Sequence, residues 1–170
     1  MKSISKLNRK ATAVFCQLLE RLDNCAQAKV RRYLKIHNGS YLPLSMERLT
    51  RGIQTVWGDG TLYGLSHTYE QNGDLMRDPE ITFLVVDYRT QPGDFNLIGV
   101  YPETYQLDRL GIYQKCIDIE DYHLVSYRPA LMRDLTGFSN QWMQNILDQG
   151  FLDTVWVRKD ALIIANQFNQ

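Results

Sequence analysis

Five side chains in the middle of the chain are of the types that chemistry uses: His67, Glu70, Asp74, Asp78 and Asp87. Carboxylates grouped with one imidazole form a donor set suited to Mg²⁺ or Mn²⁺. With a positive group nearby to absorb departing charge, such a set could hydrolyse a phosphodiester. The plainer account is structural: Asn72–Asp74 closes a helix and Asp78–Pro79 shapes a turn. It needs no metal and no catalysis, so the residues alone leave enzymatic activity undecided.

No other catalytic signature competes with this cluster. The chain has no GxxxxGK[ST] or GxGxxG phosphate loop, no HExxH and no GxSxG. Asp87-Tyr88-Arg89 is similar to the acidic-x-lysine element of restriction-like nucleases, with Asp78 as a preceding acid and Glu70 on a helix. Arginine replaces the lysine, however, and only one strand separates the two acids where that fold has a hairpin. Mg²⁺ or Mn²⁺ would be the cofactor of this nuclease alternative, and no other cofactor is indicated.

The elements that position the cluster follow from spacing. Leu62, Leu65 and Tyr69 recur at three then four residues, which predicts a helix over 62–71, capped by Thr61 and stopped by Asn72–Gly73. The alternative is a strand over 61–71 with Asn72–Gly73 as a hairpin turn. Period two would send Leu62 and Leu65 to opposite faces, which favours the helix. In that helix Glu70 and Asp74 sit at the negative end of the dipole, disfavoured by about 0.3–1 kcal/mol, so Arg77, an amide or a cation should compensate. Asp78–Pro79 should break the chain, and Glu80–Asp87 (EITFLVVD) reads as a buried strand.

Before this stretch, Ile4, Leu7, Ala11, Val14, Phe15, Leu18, Leu19 and Leu22 make a helical stripe, with Ser3 or Ser5 as cap and Asp23–Asn24 as its end. Val30–His37 and Tyr41–Ser45 flank Asn38–Gly39 as a hairpin, and Pro43 suits an edge strand. Residues 47–60 are poorly determined, with a turn at Gly58-Asp59-Gly60 and Trp57 packed inward. Later strands are expected at Phe95–Tyr101, Gly111–Ile119 and His123–Tyr127, with a connection over Pro102–Leu110. Pro129 opens a helix through Leu131, Leu135, Phe138, Trp142 and Ile146, capped by Gly150. The tail, with VWV and ALIIA, reads as a strand or hairpin joining the sheet or a neighbouring subunit.

Net charge is zero but unevenly distributed. Met1–Arg51 holds eleven Lys/Arg against three Asp/Glu, a balance of +8, and the remainder holds eight against sixteen, or −8. Arg9, Lys10, Lys29, Arg31, Arg32 and Lys35 are the candidate binding residues of a basic patch, for nucleic acid or an acidic protein. Folding can equally scatter such charges over the surface. Tyr88, Tyr101, Tyr105, Tyr113, Tyr122 and Tyr127 suit either half-buried strand packing or a protein interface. Three cysteines without a CxxC pair point to reduced thiols in the cytoplasm. No run is long enough to span a bilayer.

Three phrases, HTYEQNGDLMRDPEITF, IGVYPETYQLDRLGIYQ and FSNQWMQNILDQGF, resemble an uncharacterised bacterial family known only as a domain of unknown function. Its members are found on plasmids, integrative conjugative elements and phages. The resemblance covers about Tyr41–Leu152. It implies an intracellular bacterial protein from mobile DNA and brings no catalytic residue. The expectation is a single α+β domain over residues 1–170, with a mostly antiparallel sheet of four to six strands. An N-terminal and a C-terminal long helix should cover one face. The functional expectation is a non-enzymatic binding module acting on a protein partner or a second copy. A metal-dependent nuclease and a nucleic-acid binder are the alternatives.

Overall fold

The computed structural model describes residues 4–24 and 33–153. It is α+β, with two helices on a mostly antiparallel eight-stranded sheet. Helix α1 (Arg9–Asn24) precedes β1 (Tyr33–Ile36), β2 (Leu44–Thr55), β3 (Gly58–Gln71) and β4 (Asp74–Asp87). After these come β5 (Ile98–Leu107), β6 (Ile112–Lys115), β7 (Ile117–Glu120), β8 (His123–Tyr127) and α2 (Pro129–Asp148).

Sheet order is β6-β5-β4-β3-β2-β8-β7, with β1 also paired to β2. Strands β6 and β7 stand at opposite ends of that path, yet only Cys116 separates them in the chain. Its N–H donates to the Glu103 carbonyl and its own carbonyl accepts from Arg128 N–H, both at 2.8 Å. The sheet therefore curls until its ends meet at one residue, and the strand expected over Gly111–Ile119 is divided there. The parallel contact between β2 and β8, Gln54 opposite His123, completes the curl.

Curling explains the main departure from expectation. Residues 62–71 form strand β3, not a helix, and Asn72–Gly73, with φ of 53° and 83°, is a two-residue turn into β4. Leu65 joins one apolar cluster with Ile81, Phe83 and Val85, while Leu62 packs on the other with Leu84 and Val86. Both faces of the hairpin are buried, so apolar residues on opposite faces mimic a helical stripe. The same covering adds strands beyond the four to six expected: residues 47–60 complete β2 and start β3, leaving Val56–Trp57 as the turn, and β5 runs on to Leu107.

Helix α1 lays Val14, Phe15, Leu18 and Leu22 on the first cluster, Phe15 meeting Phe83 edge-on at 5.2 Å. Asn8 caps it, in place of Ser3 or Ser5, accepting from Ala11 N–H at 2.9 Å. Helix α2 begins at Pro129 and ends where Gly150 turns left-handed at φ 76°. It does not stay on one face: Met132 and Leu135 enter the second cluster, whereas Trp142, Met143 and Ile146 enter the first. Strand β1 pairs with β2 from Ile36 opposite Leu44, so residues 37–43 form a loop longer than an Asn38–Gly39 turn. Trp57 does pack inward, stacked on Tyr101 at 4.5 Å. The tail from 154 onward lies outside the described residues.

Candidate binding face at the bulge of the central hairpin

Asp78–Pro79 does not end an element. It lies inside β4, joined by a cis peptide bond. The register runs Ser66 opposite Glu80 and then Thr68 opposite Arg77, so His67 alone faces Asp78 and Pro79. One residue against two is a β-bulge, a device that bends a strand and re-aims its side chains. The extra residue is on β4, and the residue opposite it carries an imidazole. His67 Nδ1 lies 3.1 Å from the Leu42 carbonyl, which can only accept, so that nitrogen carries the proton. Burial lowers the His67 pKa against the raising effects of the Leu42 and Pro43 carbonyls and of Asp78.

Rings surround this histidine. Trp142 of α2 lies 5.6 Å from it and Phe151 5.5 Å, centroid to centroid. The row continues through Phe138 to Tyr105 on one side and through Phe151 to Tyr41 on the other. Trp142 and Phe151 are buried and His67 and Tyr105 half-buried, whereas Phe138 and Tyr41 reach solvent at 42 % and 49 % of full exposure. Leu42 beside Tyr41 is also exposed. The row draws on loop 37–43, β3, β5, α2 and the turn after α2.

Charges border the bulge without forming a reactive group. Asp78 pairs with Arg109 at 3.3 Å. Arg77 pairs with Glu80 at 3.2 Å, and its backbone N–H donates to Asp108 at 2.8 Å. Glu70 and Asp74 stand exposed at the hairpin tip, and with no helix there, no dipole needs compensation. Asp87 lies at the far end of β4. From Asp78 to Asp87 a strand advances roughly 30 Å at about 3.3 Å per residue, far too long for a shared metal. Among the described residues no group of three or more His, Cys, Asp or Glu is placed to hold a metal ion.

Asp87 has its own surroundings. Arg89 grips it through Nε and Nη2 at 2.9 and 2.8 Å, and the Arg89 amide adds a third bond. Burial pushes the Asp87 pKa up, but Arg89 outweighs burial and holds it below the ordinary 3.8. The pair walls a cleft of about 550 Å³ between α1 and the β4–β5 connection, beside Cys16, Gln17, Glu20 and Phe95. Burial pushes the Cys16 thiol up to about 11, so it stays protonated at neutral pH.

Three of the six candidate basic-patch residues are described. Arg9 reaches Asn96 at 3.1 Å and covers the Phe95 ring. Lys10 lines a groove of about 660 Å³ between α1 and α2, with Gln141 and Gln144 opposite. Lys35 sits on β1 opposite Ser45. Lys29, Arg31 and Arg32 lie outside the described residues.

Sequence reasoning missed two features. Phe138 and Trp142 were legible only as a helical stripe, since their ring partners come from distant stretches. The other is Glu103, buried in a bulge of β5, where its carboxylate accepts from the Thr82 hydroxyl. Burial raises its pKa, with Thr82 and Lys115 opposing. An acid in an apolar run was the available signal.

Cys16 and Cys116 are free and buried thiols, and among the described residues no helix is long and apolar enough to cross a membrane. No curated protein and no solved structure matches the chain. A family model matches residues 13–152, taking in α1 from its second turn, the whole sheet, and α2 with the Phe151 turn. The chain belongs to the family described as Domain of unknown function (DUF6908).

Proposed function

We propose that the chain is a non-enzymatic protein-interaction module whose contact surface is the aromatic face around His67. One observation carries the reading: a continuous row of rings, fixed by buried packing at its centre, opens to solvent at Tyr41 and Phe138. Large rigid side chains give contact area at low entropic cost, and anchoring them in the core prepays that cost. The ion pairs Asp78–Arg109 and Arg77–Glu80 supply the polar border that such interfaces carry. The dispersal of Glu70, Asp74, Asp78 and Asp87 weighs against the nuclease alternative. The mobile-DNA resemblance makes the partner a host or element-encoded protein, and the reduced thiols suit the cytoplasm.

Site-specific photocrosslinking in the source cell tests this. A benzophenone side chain at Phe138 or Tyr41 should capture the same protein, and one at Tyr88, exposed elsewhere on the surface, should not. Identical capture from all three positions, or none from Phe138 and Tyr41, would overturn the reading.

A further inference from the structure

The aromatic face has a charged side. Residues 67–80 and 108–110 together hold five Asp/Glu against two Arg, a balance of −3 with His67 neutral. Three of these acids are largely covered: the Asp78, Glu80 and Asp108 side chains keep 19 %, 26 % and 18 % of full exposure. The arginines paired with them lie further out, Arg77 at 42 % and Arg109 at 63 %. The negative charge is therefore fixed beneath, and the positive charge above it is loosely held.

Asp78 joins this charge to the rings. It faces His67 across the bulge. It also acts on Tyr105 at the other end of the row: burial raises the Tyr105 pKa, Asp78 adds to the rise and Arg109 opposes it. The carboxylate thus stands along the stretch of the row from Tyr105 through Phe138 and Trp142 to His67, where Phe138 is the ring open to solvent. Arg109 Nε reaches Asp78 at 3.3 Å from a largely exposed side chain, and ion pairs of that kind are weak in water.

We propose that the protein partner presents an arginine to this face, its guanidinium displacing Arg109 from Asp78 and lying on the Phe138 ring. This rests on reading the face as a docking surface and names the group that the partner brings to it. A planar guanidinium pairs with a carboxylate through two parallel N–H bonds while its flat side covers a ring, and a compact ammonium does not do both. Glu80 and Asp108 keep the surroundings negative, which favours an incoming cation over an acid. While the face is free, Arg109 holds the place of the partner's arginine.

The test uses the full chain and two small probes, apart from any captured partner. One is N-acetyl-phenylalanyl-arginine amide. The other is its citrulline counterpart, in which a urea replaces the guanidinium and the charge is lost. Low ionic strength keeps the charges unscreened. The chain has three tryptophans, Trp57, Trp142 and Trp156. With 5-fluorotryptophan incorporated, Trp57→Phe and Trp156→Phe identify their own fluorine lines and leave that of Trp142. The Trp142 line should move on titration while the Trp57 line stays in place. The arginine probe should half-saturate at a concentration about threefold or more below the citrulline probe. Arg109→Ala removes the competitor from an exposed position, so it should lower the arginine probe's half-saturation by about threefold. Asp78→Asn should bring the two probes together, an unmoved Trp57 line showing that the variant keeps its fold. No movement with either probe overturns the proposal, as does an arginine half-saturation that Arg109→Ala leaves unchanged or raises. Equal titration by both probes overturns the arginine alone, since the crosslinking tests the contact surface separately.

Discussion

The two ends of β4 carry aspartates that look alike in the sequence and behave differently in the fold. At the bulge, Asp78 lies opposite His67 among rings from α2, and its ion-pair partner Arg109 comes from beyond β5. At the other end, Asp87 is held by Arg89, two residues along the same chain. The second is a local clamp that any strand end could carry. The first exists only because four distant stretches meet. Convergence of distant stretches, more than residue type, separates a candidate site from a satisfied charge.

The largest effect is expected in the centre of the row. Trp142 is 5 % exposed and packs against His67 and Phe138. Trp142→Ala should destabilise the protein by about 3–5 kcal/mol, as large-to-small changes in cores do. Chemical denaturation measures this, and a loss below about 1 kcal/mol would mean that the row is not anchored. Phe138→Ala, at a ring open to solvent, should cost much less while removing contact area.

Next in size is the hairpin that creates the bulge. Gly73 sits at φ 83° with nothing near its would-be Cβ, so Gly73→Ala is penalised by conformation alone. About 1 kcal/mol is expected, from the turn and not from a helix cap. An unchanged denaturation midpoint would show that the turn adapts freely.

Two pH responses sharpen the contrast. Burial lowers the His67 pKa below its ordinary 6.5, so the folded state binds fewer protons than the unfolded chain just below that value. Stability should be fully present above pH 6.5 and fall as pH drops through the window beneath it. His67→Gln should flatten that limb of a urea-midpoint profile. If the limb persists in the variant, the imidazole is not the group responsible. Asp87, also lowered, acts in a different window: its contribution is present above pH 3.8 and lost as pH falls below it. The Asp87 side chain is 36 % exposed, so screening keeps this effect under about 1 kcal/mol. Thermal melts of Asp87→Asn at pH 7 should differ only slightly from those of the unaltered chain.

Much of the framework was legible before the fold was known. The α1 stripe, the Pro129 start and Gly150 stop of α2, and the strand in EITFLVVD each depend on local chemistry, and local chemistry stands in the sequence. The β3 segment was read as a helix with the strand and its Asn72–Gly73 turn only as the alternative, because Leu62 and Leu65 each found a core on opposite faces of a curled sheet. Pro79 read as a break because a bulge and a turn have the same local signature. Of the five residues grouped in the sequence, His67 and Asp78 face each other across the hairpin, while Glu70 and Asp74 lie at its tip and Asp87 at the strand's far end. A strand spreads sequence-adjacent acids along its length, where a helix would have stacked them. The ring partners Tyr41, Phe138, Trp142 and Phe151 depend on long-range packing that no spacing rule contains.

On the proposed function, the bulge end of β4 belongs to the contact surface and the Asp87 end is structural. The most direct measurement is the affinity of the partner captured at Phe138 for three purified chains: unaltered, Phe138→Ala and Asp87→Asn. A loss of tenfold or more in Phe138→Ala, about 1.4 kcal/mol or more, with no change in Asp87→Asn, is the expected result. Equal losses in both variants, or a loss confined to Asp87→Asn, would contradict it.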